Sequence, residues 1–322
     1  MDRLKIGIIG AGYMGTVHQA VLARDERARV SVVYDQAFER AEKMAAASGA
    51  TAARSVDELI ETVDAVYITT PNTKHTELAI KASSAGKHVF CEKPMATSLE
   101  EARAVLNQAE SSDSVFQVGH NRRFAPVYRA LRERLAETAP HSAHIKMNRG
   151  ELINPAWVGD TRVTGGFLYE TTIHMFDLAR FLFGEVARMD AVGSTHEYPE
   201  PDDFSVLLVF RNGVHATMAS SADAGWVFPF ERVEVFSHHS TIITREMESI
   251  TVSGQLKTSH STGSMHRLSK EEKWGYAQED RAFLDSVLNG LAPAVTALDG
   301  YKAVELVESC YRAVRTGERI EF

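Results

Sequence analysis

Two stretches of this 322-residue sequence carry side chains that could move a proton or stabilise a charge. One begins at the pair Gly165-Gly166 and continues into a predicted helix, on which Glu170, His174 and Asp177 are spaced by four and then three residues. At these spacings the three side chains share one helical face. Histidine exchanges protons readily near neutral pH, and a neighbouring carboxylate can fix its tautomer. The stripe therefore predicts general acid–base chemistry.

Two alternatives to acid–base chemistry stay open for this stripe. Glutamate, histidine and aspartate also bind zinc, although one helix with these three residues supplies only a partial metal site. The second alternative is a buried histidine that is hydrogen-bonded to an acid and has a purely structural role.

The other stretch is Glu92-Lys93-Pro94, which follows the predicted strand 87–91 directly. Pro94 removes a backbone donor and restricts the residue before it to extended conformations, so Lys93 should be held at the end of a strand. A lysine in that place can take part in chemistry. The alternative is an ordinary solvated surface charge.

The elements that must position these groups begin at residues 4–9, an apolar run that passes into the sequence GAGYMG and then into a helical pattern. Strand, glycine turn and helix in this order are typical of a dinucleotide-binding unit, in which the helix N-terminus faces a pyrophosphate. The residues of this turn that we expect to contact the cofactor are Gly10, Gly12, Tyr13, Met14 and Gly15.

An acid is expected about 20 residues after the glycine turn, where it holds a ribose hydroxyl. Asp35 meets this expectation because it follows the apolar run 30–34. A carboxylate there repels the 2′-phosphate of NADP, and neither Gln36 nor Ala37 supplies an offsetting arginine, so the sequence predicts NAD over NADP.

Further cofactor contacts should come from the carboxyl ends of later strands, where doubly wound sheets bind their ligands. The strand predicted at 65–69 ends in Thr70-Pro71-Asn72, with His75 close behind. A helix cap for segment 74–85 explains this histidine equally well. The full set of cofactor contacts expected after the strands 65–69 and 87–91 is Thr70, Pro71, Asn72, His75, Glu92 and Lys93.

The remaining pattern predicts two domains, an α/β Rossmann domain at 1–120 and an α+β domain at 121–322. Helices in the second domain are predicted at 126–136, 170–183, 271–289 and 297–316. Its strands are predicted at 142–148, 186–195, 203–210, 214–221, 231–237 and 240–245. These strands should form one large, mostly antiparallel open sheet, and a face that the helices leave uncovered suggests a homodimer or homotetramer.

Residues 254–269 are predicted to be a loop, whose His260 and His266 lack metal-ligand spacing, and no metal is expected.

Composition narrows the class of protein. The formal net charge is −8, without a basic block, which argues against a nucleic-acid partner. Two cysteines cannot form a disulfide framework, and no apolar run approaches the ~20 residues of a membrane span. We therefore expect a cytoplasmic protein that has no membrane partner.

Taken together, GAGYMG, Glu92-Lys93-Pro94 and the glycine pair leading to His174 and Asp177 identify a resemblance over essentially the whole chain. The sequence resembles the Gfo/Idh/MocA oxidoreductases, the family of glucose–fructose oxidoreductase and inositol 2-dehydrogenase. The resemblance implies an active site between the two domains, with Lys93 near nicotinamide and substrate and His174 beside the reacting hydroxyl. This chain has Glu170 where the family usually has aspartate, and Thr172 where glycine is common.

Residues and resemblance together predict an NAD-dependent dehydrogenase that oxidises a secondary hydroxyl of a sugar, inositol or related polyol. His174 takes the hydroxyl proton, Lys93 stabilises the developing alkoxide or takes the proton itself, and Glu170 supports the imidazole. Other functions known on this fold are a non-catalytic, dinucleotide-sensing regulator and a redox glycosidase with tightly bound NAD. Beyond the three catalytic candidates, the expected substrate contacts are Arg122, Arg123, Asn154, Trp157 and His239.

Overall fold

A computed structural model describes residues 3–227, 229–254 and 261–322 of the chain, and these form two compact units. One unit contains the chain up to Asn121 together with Tyr276–Val304, and the other contains Arg122–Gly275 with Glu305–Phe322. The first unit therefore contains the predicted domain 1–120 and, in addition, the late segment Tyr276–Val304. Within the described ranges, every helix is too short or too polar to cross a membrane.

The first unit is built on a six-stranded sheet in which all neighbouring strands are parallel. Its strands are β1 (Leu4–Ile9), β2 (Ala28–Tyr34), β3 (Thr51–Ala52), β4 (Ala65–Ile68), β5 (His88–Glu92) and β6 (Phe116–Gly119). Their order in the sheet is β3-β2-β1-β4-β5-β6, the Rossmann arrangement that the sequence predicts. All four residues of β4 are buried, because helices cover both faces of such a sheet.

One helix connects each of these strands to the next. These helices are α1 (Tyr13–Leu22), α2 (Phe38–Ser48), α3 (Val56–Thr62), α4 (His75–Ser84) and α5 (Leu99–Glu110). The hydroxyl of Ser55 accepts a hydrogen bond from the amide of Glu58, and Ser98 accepts one from Glu101. These are N-caps that satisfy amide groups left open at a helix start.

The second unit opens with helices α6 (Pro126–Glu137), α7 (Thr161–Thr164) and α8 (Ile173–Phe183), and α9 (Lys270–Lys273) follows its long sheet. The strands are β7 (Pro140–Asn148), β8 (Val186–Ser194), β9 (Asp203–Phe210), β10 (His215–Ser221), β11 (Glu231–Ser237), β12 (Ser240–Arg245), β13 (Ser249–Gly254) and β14 (Ser261–Ser264). Their order is β14-β13-β12-β11-β7-β10-β9-β8. Among these described strands β7 and β10 are the one parallel pair, so the predicted mostly antiparallel sheet is confirmed.

One face of this sheet is buried and the other is partly open. In β9 the side chains of Phe204, Val206, Leu208 and Phe210 are buried, whereas those between them are half-buried or exposed. Helix α6 packs near β12 and β13. The opposite face bears an open groove of about 650 Å³, with Lys146 and Arg232 among its lining residues.

The segment predicted as a loop at 254–269 differs from expectation. It includes β14, which pairs antiparallel with β13, and His260 lies outside the described residues. The predicted helix 271–289 is also two elements, α9 and α10 (Tyr276–Asn289), which are separated at Gly275, where φ is +91°. A last helix, α11 (Ala297–Thr316), precedes the short strand β15 (Ile320–Glu321), which joins β8 at the sheet edge.

Candidate active site

The glycine turn after β1 has the geometry that a dinucleotide needs. Gly10 has φ of +108°, and a Cβ on it would lie 2.7 Å from the carbonyl oxygen of Thr69. A Cβ on Gly15 would lie 2.2 Å from the Gly10 oxygen, whereas a Cβ on Gly12 would meet no atom of the described chain within 4 Å. Gly12 is the N-cap of α1. Packing therefore requires the outer two glycines, and the middle one leaves open space before a helix N-terminus, which fits a pyrophosphate. Tyr13 and Met14 form the first turn of this helix.

Asp35 lies directly after β2 and is almost fully buried. Its carboxylate accepts hydrogen bonds from the amides of Ala11 and Ala37, both at 2.8 Å. The guanidinium of Arg40 donates to the same carboxylate at 2.8 and 3.1 Å. Asp35 is thus tied to the glycine turn. Arg40 is a cation beside this position, and it lies too far along the chain to be foreseen from the two residues that follow Asp35.

Lys93 lies in a turn that is tied to the end of β4. The ring nitrogens of buried His75 lie 2.6 Å from the Pro94 oxygen and 2.8 Å from the Thr70 oxygen. The neighbouring Thr69 hydroxyl donates to the Gly10 oxygen at 2.8 Å. His75 therefore links the Lys93 turn to the end of β4, and the Thr69 hydroxyl links the same strand end to the glycine turn.

His75 begins α4, and the amide oxygens around it account for its position. Burial is the largest influence on its imidazole and lowers its pKa, while the hydrogen bonds to the Pro94 and Thr70 oxygens oppose that shift. Pro71 and Asn72 form the short turn before this helix. These observations favour a role for His75 in joining two turns.

A buried cluster behind Lys93 was missed by sequence reasoning. His18 of α1 is fully buried, with Nδ1 2.8 Å from Asp280 Oδ1 and Nε2 3.0 Å from Glu92 Oε1. The second oxygen of Glu92 accepts a hydrogen bond from the Lys93 amide at 3.1 Å. Potential ligand atoms of His18, Glu92 and Glu279 lie within 4.8 Å of one another. The partner residues in α10 are far away in sequence, so no local motif marks the cluster.

In the second unit, the glycine pair shapes the entry to α8. Gly165 and Gly166 have φ of +85° and +111°, and a Cβ on Gly166 would lie 2.7 Å from the Tyr311 hydroxyl. That hydroxyl accepts a hydrogen bond from the Leu168 amide. Leu168–Thr172 then form one π-helical turn that leads directly into α8. The predicted helix is therefore wider where Glu170 lies, and such turns are frequent at functional sites.

The stripe on this helix is divided between two roles. His174 is nearly buried, and Asp177 is fully buried. Asp177 accepts two hydrogen bonds from the guanidinium of Arg123, at 2.8 and 2.6 Å. Asp177 is therefore the partner of an arginine, and Glu170 is the acid of the stripe that stays a candidate for supporting His174.

This ion pair and its neighbour change the expectation for the two adjacent arginines. Arg122 donates to the carboxylate of Glu231 at 3.0 Å, and both side chains are buried. Glu231 also accepts a hydrogen bond from the Tyr128 hydroxyl. The structure places Arg122 and Arg123 in buried ion pairs, so the expected substrate contact is not supported for either.

His239 is also placed differently from expectation. It lies at the exposed turn between β11 and β12, with φ of +50°. Thr172, just before His174, bonds to Ser220 at 2.7 Å, and Ser220 donates to the Met147 oxygen. Met147 pairs with Glu231 at the start of β11, whereas His239 follows the end of that strand. The seven residues of β11 span about 20 Å. His239 therefore lies near the end of β11 that is remote from Thr172.

The expected residues Asn154 and Trp157 lie in the long connection after β7. Asn154 is exposed, and Trp157 is half-buried in a 3₁₀ turn. The same connection begins with Arg149, which sequence reasoning did not select. Its guanidinium lies 5.1 Å from the centre of the Phe230 ring. Burial and the positive charge of Arg122 lower the pKa of Arg149, and the negative charge of Glu170 partly opposes this shift.

Comparison with known proteins agrees with this architecture. A family model described as an oxidoreductase family with an NAD-binding Rossmann fold matches residues 4–120, and its C-terminal alpha/beta domain matches residues 138–322. Myo-inositol 2-dehydrogenase of Thermotoga maritima is 30% identical over 94% of each chain. Inositol 2-dehydrogenase of Rhizobium meliloti is 28% identical over 98% of each chain.

The solved structures similar to this fold include levoglucosan dehydrogenase in complex with NADH and L-sorbose. Its TM-score is 0.91 with 21% identity, and the match covers 100% of this chain and 99% of the other. Fold and cofactor turn therefore define an NAD-binding oxidoreductase. The chain belongs to the Gfo/Idh/MocA family of oxidoreductases.

Proposed function

We propose that this chain oxidises a secondary hydroxyl of a sugar, inositol or related polyol, with NAD as cofactor. One observation carries the proposal: the turn that bears Lys93 is hydrogen-bonded through His75 to the strand end beside the glycine turn. The turn that bears Lys93 therefore follows a strand end on the same side of the sheet as the cofactor turn. The full-length similarity to two inositol 2-dehydrogenases supports the substrate class.

In the proposed reaction, bound NAD supplies the hydride acceptor. An imidazole nitrogen of His174 takes the hydroxyl proton, and Lys93 Nζ donates a hydrogen bond to the developing alkoxide. Direct proton transfer to Lys93 is the second possibility. Glu170 supports the imidazole from the preceding turn, and Asp35 holds the adenosine ribose.

Substrate hydroxyls are held by residues of the second unit. Asn154 and Trp157 remain candidates, because an exposed amide and an indole suit a carbohydrate. We add Arg149, since it enters the same connection and lies within electrostatic range of Glu170. We no longer propose Arg122, Arg123 or His239 for this role.

The open face of the nine-stranded sheet supports a homo-oligomer, as a dimer or tetramer. Val192, on this face, is 69% exposed, and Lys146, Arg232, Asp190 and Glu234 place both charge signs around the groove. A self-complementary face of this kind suits a second copy of the chain. We also propose a cytoplasmic location, with both cysteines free and buried.

A screen of polyols and aldoses with NAD, followed at the absorbance of reduced nicotinamide, tests the function. We expect one or more substrates to yield free NADH in equal amount to oxidised product. A protein that binds NAD but produces no NADH would indicate a regulator. Turnover of a glycoside without net NADH would indicate the redox glycosidase, and the similarity to dehydrogenases does not favour either.

A further inference from the structure

The buried cluster around His18 joins three elements of the first unit. His18 lies on α1, which follows the glycine turn, Glu92 ends β5, and Asp280 comes from α10. Both ring nitrogens face carboxylate oxygens, at 2.8 Å for Asp280 and 3.0 Å for Glu92. A carboxylate only accepts hydrogen bonds when ionised, so both nitrogens must donate for both contacts to form. When Asp280 and Glu92 are both ionised, this geometry is that of an imidazolium donating from both nitrogens.

The surroundings of His18 explain why this charge persists in a buried site. Burial alone lowers the pKa of His18, but Asp280 and Glu92 oppose it and raise the pKa well above the ordinary value. The other titratable groups around the ring are Glu279 and Tyr276 from α10 and Tyr67 from β4. The cation also has a consequence for Glu92. Although burial raises the pKa of Glu92, its contacts with His18 and the charge of Lys93 lower it overall.

We propose that His18 is a positioning residue for Lys93, because it holds Glu92 in the one orientation that binds the Lys93 amide. Glu92 divides its two oxygens between the His18 ring and this amide. The turn at Lys93 and Pro94 is thereby fixed from behind by Glu92 and from the side by His75. The inference rests on the proposed role of Lys93 in the reaction.

Two consequences separate this role from simple packing. If Glu92 loses its cation, its carboxylate turns or takes up a proton, and the ammonium of Lys93 then loses a fixed negative neighbour. The turn also loses one of its two supports, and misplacement of a reacting group by about 1 Å can cost roughly 100-fold in rate. Loss of His18 should therefore change both the rate and its pH dependence, while the dinucleotide is still held by the glycine turn and Asp35.

The experiment compares His18→Gln with the matched variant His88→Gln in the full chain. His88 is a half-buried histidine of the first unit, and it accepts a hydrogen bond from the Val115 amide away from the Lys93 turn. We expect His18→Gln to lower kcat about 10- to 100-fold, with the Kd for NADH changed less than threefold. The basic limb of the kcat/KM profile should move to lower pH. His88→Gln should retain parental kinetics.

A second set of variants covers the case in which His18→Gln does not fold. The double variant His18→Gln/Asp280→Asn removes one buried charge of each sign and should keep the fold while showing the same kinetic change. Glu92→Gln should reproduce the loss, and adding it to His18→Gln should cost little more, because residues in one network are not additive. Nitrogen NMR of the histidine-labelled parent should show both His18 ring nitrogens protonated at pH 8.

Parental kcat and an unmoved pH limb in folded His18→Gln or in the double variant would overturn the inference. Additive losses in His18→Gln and Glu92→Gln would also overturn it. Lys93→Ala is the reference for the proposed function. If it is inactive while His18→Gln behaves like His88→Gln, the positioning role alone fails, whereas an active Lys93→Ala enzyme removes the role of Lys93 itself.

Discussion

The two units hold their candidate groups in different ways. In the parallel sheet, β1, β4 and β5 are neighbours and end at the same edge, so the turns with Gly10, Thr70 and Lys93 follow one another. In the second sheet most neighbouring strands run in opposite directions, and His174 comes from a helix anchored by the contact of Thr172 with Ser220. A parallel sheet collects functional groups through topology, whereas an antiparallel sheet depends on particular side-chain pairs.

The largest expected effect tests whether both units contribute to the chemistry. Lys93→Ala and His174→Ala should each lower kcat about 10²- to 10⁴-fold, the usual range for acid–base partners. NADH affinity should stay close to that of the parent, since the dinucleotide turn is intact. Steady-state kinetics and a fluorescence titration with NADH measure the two properties. A variant that keeps more than a tenth of parental kcat would remove its residue from the mechanism.

The next effect tests whether side-chain pairs hold the second unit together. Asp177→Asn leaves the guanidinium of Arg123 buried without its counter-charge, and breaking such a pair typically costs about 3–5 kcal/mol. We expect that loss in the free energy of unfolding, measured with urea. The control is Asp160→Asn, whose pair with Arg162 is largely exposed and screened by solvent, so the free energy of unfolding should change far less. Equal losses in the two variants would contradict the comparison.

Cofactor choice gives a smaller effect, which sharpens the comparison on the side of the first unit. Asp35→Ser removes the carboxylate that repels a 2′-phosphate and also releases Arg40 from its ion pair. One charge-assisted hydrogen bond contributes about 1.5–3 kcal/mol, so the preference for NAD over NADP should fall at least about 10-fold. The ratio of kcat/KM with the two cofactors measures this. The double variant Asp35→Ser/Arg40→Ala should lose the activity with NADP that Asp35→Ser gains. If both variants show the same ratio of kcat/KM values, Arg40 has no role in cofactor choice.

The smallest effect concerns Glu246, which lies between β12 and β13 and contacts the amide of Glu231. Half-burial and the nearby Glu231 charge raise the pKa of Glu246 to about 7, against hydrogen bonds that lower it. The folded state therefore binds the Glu246 proton more tightly than the unfolded state does. The stability that this contributes is fully present below pH ~4.5 and is lost as pH rises through 7. Relative to the parent, Glu246→Gln should gain up to about 1 kcal/mol between pH 5 and pH 8, because a half-exposed group is well screened. Urea unfolding at both pH values checks this, and a constant difference would contradict it.

The same contrast explains how much the sequence could predict. Strand ends in a parallel sheet meet at one edge, so Gly10, Asp35 and Lys93 could be placed together from local patterns alone. No such rule exists for Arg122 and Arg123, whose partners Glu231 and Asp177 are 109 and 54 residues away. His239 is a further example, because its position depends on the direction in which β11 pairs with β7, which no local pattern gives.

Local patterns also failed to predict two short elements of the second unit, whose residues have no marked preference for the structure they adopt. β14 has the sequence STGS, which resembles a loop, and it forms a strand through pairing with β13 at the sheet edge. The π-helical turn before α8 has no sequence signal that separates it from an ordinary helical start. In both cases tertiary contacts decided the local structure.

The separation of His18 and Asp280 by 262 positions in the sequence also bears on how the protein is made. The glycine turn leaves the ribosome early, but α10, which supplies Asp280, is translated only after most of the second unit. Until then, the hydrophobic core beside Ile6 and Ile8 of β1 lacks Phe283 and Leu284 of α10. We therefore expect a fragment that stops at residue 121 to bind NAD poorly, so the earliest part of the chain to be synthesised is among the last to become functional.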